Sequence, residues 1–322
     1  LHGPCLSIDT ACSSASVALH TATLSLCSFH ARIALSLAIS LNLCPQQSFF
    51  IAAAGMLSQD GRCKTFDARA NGYVRSEGAG SLVLRAVSSA MCSSVESVAV
   101  QQDGRSASLT APNGSAQVLV LRKAFASAGQ IPANLCSVEL HGTGTALGDP
   151  VEVSALVAVL VDSTVMRFCA HKANWGHTEA PSGQLGMERL LSLMGQRAVM
   201  GNAQLRIISP LLLKPLLSLP AALSTQGQRL GLCRAGGVSS FGFSGTITHT
   251  LLARASGAHE SSYRCAVHVR KSRVVYKSTA FQWRRHSISE GHTRHKDEPP
   301  IYCTCWDEVS AAAAVQHAHA SL

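Results

Sequence analysis

The chain has 322 residues, is 47% hydrophobic and carries a formal net charge of +9. It is long enough to bury a sizeable core, and an aromatic content of 5% beside abundant alanine, leucine, valine and serine suits close packing of helices on a sheet. Nine of the 27 lysine and arginine residues follow Arg254, without the clustered basic helix or aromatic platform of a nucleic-acid-binding surface, so composition disfavours a nucleic-acid partner.

The first predicted element is a helix that begins directly after Cys12. Residues 15–26 mix small and apolar side chains at a spacing compatible with a buried helix. A thiol is mostly neutral at pH 7, and the positive end of a helix lowers its pKa, so the position of Cys12 predicts a nucleophile. The alternative is that Cys12 is a small buried hydrophobe like others among the twelve cysteines.

A short strand is predicted to end at His141, followed by a loop of glycines and threonines and an apolar helix over residues 151–161. Glycines let the backbone approach a ligand closely. A dinucleotide-binding loop has the same strand, turn and helix order, but the glycine spacing and Asp149 at the helix start disfavour it. We interpret Asp149 and Glu152 as acids at the positive end of a helix.

A third segment carries His177 at a glycine-rich bend. Lys172 lies five residues before this histidine and Glu179 lies two residues after it. An ion pair between them would hold the imidazole in one tautomer and orientation, and the sequence predicts that arrangement. The neighbouring His171 is interpreted as an ordinary surface or core histidine.

Motifs matching one family occur in order along residues 1–254. Besides DTACSS around Cys12 and the two histidine segments, they are GP at residues 3–4, MLSQDGRCKTFD (56–67), NGYVRSEG (71–78), QDGR (102–105), LTAPNG (109–114) and AGGVSSFGFSGT (235–246). Together they resemble the β-ketoacyl synthase (ketosynthase) domain of type I polyketide synthases, within the thiolase-like superfamily.

The resemblance implies an α/β protein with the thiolase-like layered αβαβα fold, built from two similar halves. Residues 1–254 would be a partial ketosynthase domain, with the end of the N-terminal half in 1–90 and the C-terminal half in 91–254. Because eleven residues precede Cys12, far fewer than in the family, we expect an incomplete first half with unpaired strand edges and an uncovered apolar face. We also expect the encoded full domain to be active and the 322 residues alone to be inactive.

The resemblance also assigns the chemistry. Cys12 would take an acyl group from a carrier-protein thioester, and His141 and His177 would assist decarboxylation of a malonyl-type extender, in a decarboxylative Claisen condensation of polyketide or fatty acid biosynthesis. The backbone N–H of Phe243 would join that of Cys12 in an oxyanion hole.

Supporting positions follow from the same resemblance. Lys172 and Glu179 would organise the two histidines. Thr143 and Thr145 would line the path of the phosphopantetheine arm, and Phe241 would gate the pocket. Trp175 stands where a smaller residue is common and would narrow the space beside His177.

The resemblance implies an acyl carrier protein as partner, which delivers the phosphopantetheine, a homodimer of the full domain, and no bound cofactor or metal. The alternative is a catalytically inactive ketosynthase-like fragment or interaction module. No membrane span is expected, because prolines interrupt the apolar residues 207–223. The cysteine usage favours a reducing compartment, the cytoplasm or the plastid stroma.

The C-terminal residues 255–322 are polar, basic and rich in histidine, so we interpret them as a largely irregular linker or tail. Cys303 and Cys305 have poor spacing for a metal site.

Overall fold

The computed structural model describes residues 3–86, 93–106, 108, 111–160, 166–229 and 231–254. The predicted tail and its two cysteines lie outside the described residues. The helices are α1 (Ser14–Cys27), α2 (Pro45–Ala53), α3 (Gly114–Ala128), α4 (Gly148–Val159), α5 (Lys172–Trp175), α6 (Ser182–Gln196) and α7 (Pro210–Leu217). The strands are β1 (Ile33–Ser40), β2 (Gly78–Arg85), β3 (Ser93–Gln102), β4 (Ser137–Glu139), β5 (Met166–Cys169), β6 (Ala198–Val199), β7 (Ala221–Leu223), β8 (Gln228–Arg229), β9 (Ala235–Phe241) and β10 (Thr246–Arg254).

A six-stranded mixed sheet forms the centre, in the order β3-β10-β9-β4-β5-β7. β10 pairs antiparallel with β3 and β9, whereas β4 pairs parallel with β9 and β5. The buried strand β4 is followed by a loop and then α4, so the carboxyl end of this strand opens into the segment that carries His141. Parallel strands place such segments at one edge of the sheet, which is where the candidate site lies.

Helices cover both faces of this sheet. Apolar side chains of α3, α4 and α7, including Val120, Leu156 and Leu212, form one core with the sheet. Leu19 of α1 and Met187 of α6 belong to a second core on the opposite face. The helix that carries Cys12 at its start is therefore fixed against the sheet by buried apolar contacts.

A two-stranded antiparallel ribbon of β1 and β2 packs on α1 and α6, outside the second helical layer. The described residues thus build four alternating layers of helices and strands. Along the ribbon, Leu37, Ile39 and Val83 are 63%, 61% and 73% exposed. An apolar strand face open to solvent is expected from the sequence for this part of the molecule.

Cys136 and Cys233 form a disulfide with a Cα–Cα distance of 5.7 Å. The two residues are 97 positions apart and meet because β4 and β9, which they closely precede, are neighbouring strands. The cysteine usage suggested that the thiols are reduced, so the disulfide differs from that expectation. Within the described residues, no helix is long and apolar enough to cross a membrane.

Candidate active site

Cys12 lies in a single turn of 3-10 helix, Ala11–Ser13, that runs directly into α1. The hydroxyl groups of Ser182 and Ser240 both donate to its carbonyl oxygen, at 3.2 and 2.7 Å. These donors come from α6 and β9. Together with its own 3-10 turn, these two elements fix the backbone of Cys12. The predicted helix after Cys12 is confirmed to within one residue at each end.

Both predicted histidines lie beside the thiol. His177 Nε2 is 3.0 Å from Cys12 Sγ, and the ring of His141 is 5.5 Å from that of His177, edge to face. The three residues come from segments far apart in sequence and line the same cavity. The sequence-based expectation that they converge agrees with this geometry.

Backbone amides select the tautomer of each ring. The N–H of Glu179 donates to His177 Nδ1 at 3.2 Å, and the N–H of Phe241 donates to His141 Nδ1 at 3.3 Å. A nitrogen that accepts a hydrogen bond carries no proton, so each neutral ring is protonated at Nε2. Burial, reinforced by the charge of Lys172, lowers the pKa of both histidines well below the usual value. The site therefore presents two neutral Nε2–H donors.

The thiol itself is protonated at rest. Burial raises the pKa of Cys12 to about 12, although Lys172 and the backbone N–H groups of Cys12 and Phe243 lower it in part. The prediction of a thiol pKa lowered by the helix is therefore wrong, because loss of solvation outweighs the helix. The same two backbone amides interact with the sulfur.

The predicted ion pair between Lys172 and Glu179 is also wrong. Glu179 binds the Arg75 guanidinium through two hydrogen bonds of 2.7 and 2.9 Å. The carboxylate of the nearby Glu77 accepts the N–H of Asn42. The backbone N–H of Glu179 thus orients the His177 ring, while Arg75 fixes the side chain of Glu179. Lys172 is fully buried nearby and affects the site through its charge.

Two buried carboxylates hold the loop after β4. Glu152 accepts the N–H groups of His141 and Gly142 at 2.7 and 2.9 Å, and Asp149 accepts that of Gly144 at 3.1 Å. Burial raises the pKa of both acids, although these N–H bonds oppose the shift. Both lie in the first two turns of α4, as the sequence predicts, and they act on the loop rather than only on the helix end.

Gly144 is the position in this loop where a side chain is least tolerable. Its φ is +76°, and an added Cβ would lie 2.7 Å from the backbone nitrogen of Lys64. We expect Gly144→Ala to lower the free energy of unfolding by about 3 kcal/mol and the Tm by about 6 °C in a thermal melt. The matched control is Gly231→Ala, because no atom lies within 4 Å of that added Cβ. Equal melting of the two variants would contradict this account.

A cavity of about 350 Å³ leads to the three reactive side chains. Its wall includes the remaining predicted contact residues: Thr143, Thr145, Phe241 and Phe243. The ring of Phe243 is half-exposed at the surface. Trp175 is 46% exposed and its ring lies 6.0 Å from that of His171, so the prediction that it narrows the space beside His177 is wrong. His171 is buried, with Nδ1 2.9 Å from Glu139.

Sequence reasoning missed other residues of the wall. Tyr73 contacts the ring of His177 edge to face at 5.0 Å, and Asp103 and Gln117 also line the cavity. All three lie in or next to motifs that carried the resemblance, but the motifs alone give no direction for a side chain. In the part of the chain that the structure describes, no group of three or more His, Cys, Asp or Glu residues could hold a metal ion.

Comparisons with known proteins agree with this geometry. The model of the β-ketoacyl synthase N-terminal domain matches residues 1–90, and that of the C-terminal domain matches residues 92–206. The chain belongs to the β-ketoacyl synthase family. Its relatives include a component of the phenolphthiocerol/phthiocerol polyketide synthase of Mycobacterium tuberculosis, 38% identical over 269 residues, and polyketide synthase PksL of Bacillus subtilis, 36% identical over 266 residues.

These alignments cover 78% of this β-ketoacyl synthase chain, but 14% of the mycobacterial protein and 6% of PksL. Among solved structures, the ketosynthase from module 6 of the bacillaene synthase of Bacillus subtilis 168 superposes with a TM-score of 0.75 and 33% identity. That match covers 79% of this chain and 48% of the other. The thiolase-like α/β fold expected from the motifs is confirmed.

Proposed function

We propose that this protein is an acyltransferase of the β-ketoacyl synthase type, which condenses an acyl group on Cys12 with a malonyl-type extender carried by an acyl carrier protein. The observation that carries this proposal is the contact between Cys12 Sγ and His177 Nε2, with His141 as a second neutral N–H donor beside them. Membership of the ketosynthase family supports it.

The first step is transfer of the acyl group. Cys12 Sγ attacks the carbonyl carbon of the incoming thioester, and the bond from that carbon to the carrier sulfur breaks. The thiol proton of Cys12 leaves with the departing carrier thiol, so charge and protons balance. Backbone N–H groups of Cys12 and Phe243 stabilise the tetrahedral oxyanion, and each such donor is worth about 3 kcal/mol of barrier.

The second step uses the two histidines. Their Nε2–H groups donate to the thioester carbonyl oxygen of the bound malonyl group, where negative charge develops as carbon dioxide leaves. The resulting enolate carbon attacks the acyl carbon on Cys12, and the Cys12 sulfur leaves as thiolate. Neutral rings suit this role, because a donor that keeps its proton stabilises an enolate without quenching it.

The substrate arm would lie along the wall formed by Thr143, Thr145 and Phe241. The hydroxyl groups of the two threonines are 3.5 Å apart and can bond the amides of phosphopantetheine. This arm belongs to the carrier protein, so no resident cofactor is needed. Phe241 lies 5.4 Å from the ring of His141 and would shape the inner end of the passage.

The whole protein would act with an acyl carrier protein and as a homodimer. The net charge of +9 is consistent with steering of an acidic carrier. Lys172 would tune the charge of the site, and Glu179 would position His177 through its backbone. A reducing compartment, the cytoplasm or the plastid stroma, would keep the Cys12 thiol reduced.

Turnover tests the proposal. The longest natural reading frame that contains this chain, with the 322-residue chain beside it, is supplied with acyl and malonyl thioesters of an acyl carrier protein. Mass spectrometry should detect a β-ketoacyl carrier product and an equal amount of released carbon dioxide. Failure of both forms to make this product, with folded protein and intact substrates, would favour a catalytically inactive interaction module. Product from the longer form alone would match our expectation for the 322-residue chain.

A further inference from the structure

One buried side chain in the cavity wall has an unused hydrogen-bonding group. Gln117 is 2% exposed and lines the cavity that contains Cys12. Among the residues that the structure describes, its Oε1 atom has no hydrogen-bond partner. A buried carboxamide without a partner destabilises the fold, so a role in the bound state would explain why glutamine occupies this position.

The local structure holds Gln117 rigidly at this place. It lies in the first turn of α3, whose N-cap residue is Asn113. The side chain of Asn113 accepts the N–H of Ala116 at 3.2 Å and donates to the carbonyl oxygen of Asp103 at 2.8 Å. One side chain therefore connects the start of α3 to the turn after β3.

That turn supplies a second unused acceptor. Asp103 also lines the cavity, and its buried Oδ1 atom has no hydrogen-bond partner within the described ranges of the chain. Its backbone N–H donates to the carbonyl oxygen of Gly245 at 2.8 Å, which anchors the turn to the loop that follows Phe243. Burial raises the pKa of Asp103 to about 6.

We propose that Gln117 and Asp103 form an acceptor pair that binds an N–H or O–H donor of the thioester substrate. The inference rests on the proposed function, because it assumes that thioesters enter this cavity. Two parts of such a substrate carry the required chemistry: the amides of the pantetheine arm and a hydroxyl group on the acyl chain. Simple saturated acyl groups and hydrocarbon thiols carry no such donor.

Gln117→Leu tests the proposal because it removes the amide and keeps a similar volume. Acylation of Cys12 is followed by mass spectrometry in the longest natural reading frame, with four donors: hexanoyl ethyl thioester, hexanoyl N-acetylcysteamine, hexanoyl pantetheine and 3-hydroxyhexanoyl ethyl thioester. We expect the variant to lose about tenfold in acylation efficiency for a donor-bearing substrate and to match wild type with hexanoyl ethyl thioester. Loss of acylation with hexanoyl N-acetylcysteamine and hexanoyl pantetheine identifies the pantetheine arm as the ligand. Loss of acylation with 3-hydroxyhexanoyl ethyl thioester identifies the hydroxyl group of the acyl chain.

Stability gives a second readout. Because Oε1 has no partner in the described part of the chain, Gln117→Leu should raise the Tm by about 2 °C while it weakens substrate use. Asp103→Asn should weaken the same substrate class without affecting hexanoyl ethyl thioester. The control is Gln130→Leu, since Gln130 bonds Asn134 outside the cavity.

Equal losses of acylation with all four thioesters in Gln117→Leu would overturn the proposed acceptor pair. Unchanged acylation with all four would also overturn it, because it would mean that water satisfies Gln117 Oε1 and Asp103 Oδ1. In both cases wild-type acylation leaves the proposed function standing. A wild-type protein that none of the thioesters acylates would instead remove the proposed function and this inference with it.

Discussion

Replacing Cys12 with alanine is expected to lower condensation by at least about 10⁴-fold, because Cys12 is the one cysteine among the described residues that line the cavity. Decarboxylation of a malonyl thioester should persist in this variant, since His141 and His177 keep their Nε2–H donors. The two activities are measured separately, as β-ketoacyl product and as released carbon dioxide. Cys12→Ala should melt close to wild type, because the change removes one buried atom.

The matched control is Cys27→Ala, which removes an exposed free thiol at the other end of the same helix. This variant should retain full condensation. The account is contradicted if Cys12→Ala still condenses, or if it loses decarboxylation together with condensation while it remains folded. The second result would mean that the thiol, and not the histidine pair, supports loss of carbon dioxide.

Replacing His141 should have the opposite selectivity. We expect His141→Leu to lower decarboxylation by about 10²- to 10³-fold, the usual effect of removing one donor to a developing oxyanion. Cys12 should still accept an acyl group in this variant, because the hydrogen-bond contact with the sulfur comes from His177. His177→Leu should impair both steps, since its Nε2 lies 3.0 Å from Cys12 Sγ.

A conservative replacement sharpens this test. His141→Gln keeps an N–H donor on a side chain of similar reach, so it should retain more decarboxylation than His141→Leu. A general-base role would predict equal loss, because an amide accepts no proton at neutral pH. His30→Gln serves as the control, since His30 is exposed. Equal activity of His141→Gln and His141→Leu would therefore contradict the donor role.

The parts of the site that the sequence predicts are those encoded locally. The helix after Cys12 follows from a run of small and apolar residues, and α4 begins near its predicted start. Glycine-rich turns indicate where His141 and His177 leave their elements. The motifs then indicate that these segments meet, which periodicity alone does not show.

The parts that it does not predict depend on distant residues. Glu179 pairs with Arg75, which is 104 positions away, and not with Lys172, because the bend at Gly176 turns the chain between them. The Cys136–Cys233 disulfide follows from strand order, which spacing does not reveal. The thiol pKa follows from burial of the completed site, whereas the sequence shows only the local helix.

The most direct test of the central claim is the position of the acyl group after a single round of loading. The protein is incubated with hexanoyl pantetheine without extender, digested under conditions that preserve thioesters, and mapped by mass spectrometry. The account predicts one acyl group per chain, on Cys12, which is lost in Cys12→Ala and released on addition of a malonyl thioester. An acyl group on another cysteine, or one on Cys12 that no extender can release, would contradict it.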